Sequence, residues 1–144
     1  MNGLGLNIEN NLENDKIGKF NNFNNIITSN RKDDVLLLCR SAVKRLNESM
    51  YMNNLDTSFI YLMSTLEMIA SDRFIKFEKV KSKIVPFIAS DKKFYHRLSE
   101  ELKRFSMEIR TEVVHNGKPL HEVAPEDYEK ILFRLQGIIL TTVE

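Results

Sequence analysis

The chain has one cysteine, Cys39, no tryptophan, three prolines and five glycines in 144 residues. A single cysteine excludes an internal disulfide and suits a reducing cytoplasm. Three scattered histidines and one thiol give no zinc-ligand spacing, so no metal or other cofactor is expected. A dominant sign of charge is also missing. Twenty-one Lys and Arg stand against 20 Asp and Glu, a formal net charge of +1. That excludes a protein that coats nucleic acid by charge alone; RNA binding would need a local positive groove. Long apolar runs are lacking too. Nothing approaches the roughly 20 residues of a transmembrane helix. The first residues show no basic stretch followed by an apolar one, the pattern of a secretory signal. These absences lead to an expectation of a cytoplasmic chain with no membrane partner.

What is present fits one domain with its own core: 42 % hydrophobic and 28 % charged residues mark a globular composition. Residues 1–30 differ from the rest, since ten of the thirty are Asn. Asn prefers turns and caps to helix interiors. The segment reads as a poorly ordered leader, with a short ordered piece around Lys19 to Ile27, or as the end of an upstream module. Residues 31–144 read as a helical domain.

Within it, apolar residues at steps of three and four predict successive helices. The first runs from about Lys32 to Asn47. Ser29 or Asn30 caps it, Asp33 and Asp34 occupy its first turn, and Val35, Leu38, Cys39, Ala42, Val43 and Leu46 form its stripe. Cys39 on that stripe reads as a small buried residue, not a reactive thiol. Asp56 is expected to cap a second helix reaching about Arg73, with Phe59, Leu62, Met63, Leu66, Ile69 and Ala70 inward. Phe77, Val80, Ile84 and Phe87 or Ile88 mark a third, which Pro86 should end or kink. Around it Arg73, Lys76, Lys79, Lys81 and Lys83 outnumber Asp72 and Glu78. Such a run is usually a solvated face, yet Lys76, Lys79 and Lys83, with Lys103 and Arg104 further on, are the candidate phosphate contacts.

Ser90 or Asp91 should cap the fourth and longest helix. Phe94, Leu98, Leu102, Phe105, Ile109 and Val113 share its face, and His96, Glu100, Lys103 and Arg104 lie outside. Asn116-Gly117 can take the left-handed conformation that closes a helix, and Pro119 should prevent an easy restart. His121 is expected in a loop. Pro125 in a first turn, with Glu126 and Asp127, should start a last helix carrying Tyr128, Ile131, Leu132, Leu135, Ile138 and Ile139. The expected fold is all-α, an antiparallel bundle of four to five helices.

Arg110 and His115 flank the stop of the fourth helix. Five residues at about 100° each turn through roughly 500°, a net offset of about 140° on a straight α-helix. The two side chains would then point apart. They meet only if the helix ends or bends near Val114, or if a second copy brings its own pair alongside. Glu67, one step off the second helix's stripe, is either a solvated or cap-pairing carboxylate or the partner that orients Arg110. Glu112 falls toward the apolar stripe, to pair with Arg110 or an interface residue or to sit at the stripe's edge. A purely structural role for the pair also stays open, with Arg110 on a neighbouring helix's carbonyls and His115 on its own helix end.

Arg110, four residues, His115, then Asn116-Gly117 at the end of an amphipathic helix resembles the R-x4-6-H signature of the HEPN superfamily. Val113-Val114-His115-Asn116-Gly117 is most similar to its Apea-like branch, and Leu66-Glu67 one helix earlier resembles a Leu-Glu pair typical there. The resemblance spans roughly Arg31 to Glu144. It implies a homodimer with a composite cleft that cuts RNA, without metal, to a 2′,3′-cyclic phosphate and a 5′-OH. Arg110 and His115 would be catalytic and Thr111, Asn116 and Glu67 supporting. Thr111 stands where many active relatives carry Asn, Asp or His. A toxin or defence effector is the implied setting, with an antitoxin or fused regulatory domain as further partner. Non-catalytic members, which dimerise or bind RNA or a partner protein, are the alternative.

The chemistry suits those residue types. RNA carries its own nucleophile, the 2′-OH, and cleavage needs a base for its proton and an acid for the leaving 5′ oxygen. Imidazole, with an ordinary pKa of about 6.5, can do either. Guanidinium stays charged and forks onto phosphate oxygens.

Overall fold

The computed structural model describes residues 21–26, 28–29 and 33–144, and all regular structure among them is helical. The Asn-rich leader expected over residues 1–30 lies for the most part outside the described residues, as do Asn30, Arg31 and Lys32. Two compact units divide the chain, Met1–Arg40 and Ser41–Glu144.

In the first unit, residues 21–26 are helical. Thr28 Oγ1 donates back to the Asn24 carbonyl at 2.8 Å, and Ser29 Oγ to that of Ile26 at 2.7 Å. Arg40 donates to the Ser29 carbonyl. Helix α1, Asp34–Met50, begins here and crosses into the second unit. Its cap is Asp33, whose Oδ1 accepts from the Leu36 amide at 2.8 Å, so Asp33 precedes the helix and neither Ser29 nor Asn30 is needed. The expected stripe is off at its start: Val35 is 70 % exposed and Leu36 is buried. Cys39 is half-buried, and burial, aided by Asp33, raises its thiol above the ordinary value. That leaves it a poor nucleophile.

The second unit holds α2 (Leu55–Ala70), α3 (Phe77–Ile88), α4 (Lys92–Lys103) and, after one short turn of helix α5 (Leu120–Val123), the last helix α6 (Tyr128–Val143). Helix α2 is central: it packs mainly on α6 and also on α3, while α3 packs on α4 and α6. Phe59, Leu62, Met63 and Leu66 of α2 are fully buried against one core with Val80 and Ile84 of α3, Leu98 and Leu102 of α4, and Leu135 and Ile139 of α6. The all-α bundle expected from the stripes is the architecture of this unit.

The cap of α2 is Asn54, whose side chain accepts from the Thr57 amide at 3.0 Å. Asp56 is not the cap; its Oδ1 takes the Leu120 amide at 2.6 Å and ties the start of α2 to α5. Helix α2 also stops at Ala70, short of Arg73. Pro86 sits inside the last turn of α3, where it costs the helix one backbone bond, and the helix ends two residues later at Ile88. Phe87 points outward at 73 % exposure, leaving Ile88 as the inward choice.

Asp91 caps α4, accepting from the Phe94 amide at 2.7 Å. Pro119 does not block a restart: α5 begins at the next residue, as proline's fixed φ suits a helix start. His121 therefore lies on a helix turn, edge-on to Tyr128 at 6.4 Å between ring centroids. Pro125 occupies a turn before α6, not its first helical turn. Asp127 stands at the cap position without capping, because Arg104 takes both its oxygens at 2.8 and 3.1 Å.

That pair predicts an acid effect. Arg104 holds the Asp127 carboxyl below its ordinary value. A carboxylate depressed on folding stabilises the fold above its unfolded pKa of about 3.9, and the contribution fades as pH falls through the lower folded value. Both side chains are more than a third or about a third exposed, so solvent screening limits the effect to about 1 kcal/mol or less. Asp127→Asn should lower the melting temperature at pH 7 and flatten its dependence below pH 4, read by circular dichroism.

Candidate functional site

The site is built on an irregularity of the fourth helix. After α4 the chain continues without a break, but its winding widens. Segment π1, Arg104–Ile109, and segment π2, Thr111–His115, are π-helical, with Arg110 between them. The Arg110 amide bonds the Phe105 carbonyl, a step of five. In such winding residue i+5 diverges from residue i by less than on an α-helix, and single π turns inside helices recur at functional sites. The 140° divergence of a straight α-helix does not apply. The divergence of Arg110 and His115, five apart, is smaller than on an α-helix, and both lie at the same end of this helix.

The same winding keeps the core intact. Phe105, Ile109 and Val113 step by four and all are buried. The segment closes at Gly117, which has φ +64°, the left-handed value expected for it. The Lys118 amide then reaches back to the Glu112 carbonyl at 3.1 Å. This closure is one residue wider than the usual glycine-ended helix, in keeping with the π turns before it. Gly117→Ala places a Cβ in open space, so only backbone strain opposes it. A loss of about 1–2 kcal/mol is expected from that strain, measured by urea unfolding, and Gly117→Asn should lose less.

Arg110 forms an ion pair with Glu67 of α2, with side chains 31 % and 24 % exposed. Of the roles open to Glu67, the structure shows the one that fixes Arg110. Glu112 does not pair with Arg110. Its Oε2 meets Lys118 Nζ at 2.5 Å, and its Oε1 accepts from the Asn116 side-chain Nδ2 at 3.0 Å. Lys118, and then Asn116, hold the Glu112 carboxyl below its ordinary value. Asn116 is thereby fixed beside His115. Thr111 and His115 are exposed, and neither side chain has a polar partner among the described residues. A guanidinium held from behind and an open imidazole thus share one end of the helix.

The candidate phosphate contacts divide. Lys76, Lys79 and Lys103 are exposed and unpaired among the described residues. Lys83 donates to the Ala70 carbonyl at 2.8 Å, at the end of α2 beyond Glu67. Lys81 lies at 3.1 Å from Glu78. Arg104 is committed to Asp127, and together with Arg97, Glu100, Glu101 and Arg134 it lines an open cavity of about 590 Å³ that Arg110 and His115 do not reach. Arg134 there is held by Glu101 at 2.8 Å. Of that lining, Arg97 and Glu100 form no ion pair among the described residues. His96 is exposed, edge-on to Tyr95. Among the described residues no three of His, Cys, Asp and Glu gather as a metal-ligand set, and no helix is long and apolar enough to cross a membrane.

Sequence reasoning missed the wide winding. The four-residue steps at Phe105, Ile109 and Val113 gave no signal of it, since Phe94, Leu98 and Leu102 step likewise in the α-helical part. Comparison with family models, with curated proteins and with solved structures finds no match to this chain.

Proposed function

We propose that this chain is a metal-independent endoribonuclease of the HEPN type, acting as a homodimer in which two copies of the Arg110–His115 helix end form one cleft. The observation that carries the reading is the π-wound segment, in which residues five apart diverge less than on an α-helix, with Arg110 held by Glu67 and His115 left open at the same helix end. Guanidinium serves as the clamp on the phosphorane-like transition state, and Glu67 aims it. Imidazole takes the 2′-OH proton, and the partner's imidazole protonates the leaving 5′ oxygen. One chain has only one histidine in the segment, which is why the mechanism calls for two copies.

The deciding experiment incubates the purified chain with RNA in EDTA and examines the product ends. Cleavage to 2′,3′-cyclic phosphate and 5′-OH supports the reading. Intact RNA across a range of substrates and protein concentrations would remove it. A second reading, a non-catalytic module that binds RNA or a partner, is favoured by the Glu67–Arg110 pair, since that bond already occupies part of the guanidinium fork. It predicts binding without turnover.

A further inference from the structure

Phe74 is the most exposed of the large apolar side chains described, at 91 %. It stands in the loop between α2 and α3, where no packing among the described residues accounts for a phenyl ring held in water. Its surroundings are cationic. Arg73 and Lys76 share the loop and Lys79 follows in the first turn of α3; all three are exposed and outside any ion pair among the described residues. Asp72 is the carboxylate nearest in sequence.

The loop starts where the candidate site ends. Glu67, which holds Arg110, lies one turn before Ala70, the last residue of α2, and the Ser71 amide closes on the Glu67 carbonyl at 3.1 Å. Phe74 follows Ala70 by four residues, so chain reach keeps their Cα atoms within about 14 Å. Lys83 is anchored on the Ala70 carbonyl at the same end of α2. One helix terminus therefore collects the buttress of Arg110, several cations and an uncovered aromatic face.

We propose that Phe74 is a stacking platform for an unpaired RNA base, with Arg73, Lys76 and Lys79 on the adjoining phosphates, which makes single-stranded RNA the substrate class. The proposal rests on the nuclease reading for its purpose beside Arg110 and His115. Its binding chemistry is independent of that reading. Every base offers a π face to an aromatic ring, and basic side chains tracking the backbone add sequence-tolerant affinity. Base-paired RNA hides those faces in its stack and presents shape and 2′-hydroxyls instead.

The test uses the full chain carrying His115→Ala, so that RNA survives, and fluorescence anisotropy with a short labelled oligouridine and with the same strand in a duplex. The single strand should bind more tightly. Adding Phe74→Ala should weaken it about tenfold, Phe74→Leu should weaken it similarly, and Phe74→Trp should restore it. Lys76→Ala and Lys79→Ala should each lower the salt slope by about 0.7. The platform is overturned if Phe74→Ala or Phe74→Leu binds like its parent, if the duplex binds equally well, or if no RNA binds. Phe74-dependent binding by a wild-type chain that never cleaves would sink the nuclease and leave the platform standing. Cleavage by a chain indifferent to Phe74 would do the reverse.

Discussion

His115→Ala should reduce RNA cleavage about 10²- to 10⁴-fold, the usual worth of a positioned proton-transfer group, while the protein stays folded. The second half of that statement follows from the structure. His115 is exposed and its ring has no polar partner among the described residues. Surface substitutions of that kind normally change stability by less than about 0.5 kcal/mol. Lost activity with an unchanged melting curve would therefore be a chemical effect. Arg110→Ala is a less clean experiment. It should also lower cleavage about 10²- to 10³-fold by removing transition-state charge, but it strands the Glu67 carboxylate, which is 24 % exposed. Its melting temperature should fall as well. Arg110→Lys keeps a charge toward Glu67 and loses the planar fork, so it should recover stability more than activity. Undiminished cleavage by His115→Ala would end the nuclease proposal, whatever Arg110→Ala does.

The largest loss of stability is expected from Phe59→Ala. Phe59 is fully buried on α2, the helix that packs on both α3 and α6. Truncating a buried phenylalanine costs about 3–5 kcal/mol, transfer and cavity together. A domain's whole stability is about 5–15 kcal/mol, so the variant should be at the edge of folding at 37 °C. Phe133→Ala is the control: that ring is 73 % exposed on α6, and its loss should leave the urea midpoint almost unmoved. Equal midpoints for the two variants would show that the burial assigned to α2 is wrong.

The two predictions differ in how far they could be read from the residues alone. Phe59 is legible because it lies on a stripe with Leu62, Met63 and Leu66, and such periodicity survives any detail of packing. Caps were less legible, since several oxygens compete at each helix start. Asp56 and Asn54 are both good caps; only the fold brings the Leu120 amide to Asp56 and leaves Asn54 to the helix. Asp127 likewise gives up a cap because Arg104, 23 residues away, reaches it with two bonds. The start of α1 went wrong at Val35 and Leu36 because a broad stripe does not say which of its edges is covered.

By itself the sequence determined that this protein is helical, that the fourth helix stops just after His115, and that Arg110, His115 and Gly117 crowd one terminus. Those properties are local, written in side-chain period and in the left-handed freedom of glycine. Tertiary structure alone decided that Glu67 braces Arg110 and that the helix widens between Arg104 and His115. Winding is chosen by which neighbours a helix must bury its residues against, and those neighbours come from distant parts of the chain.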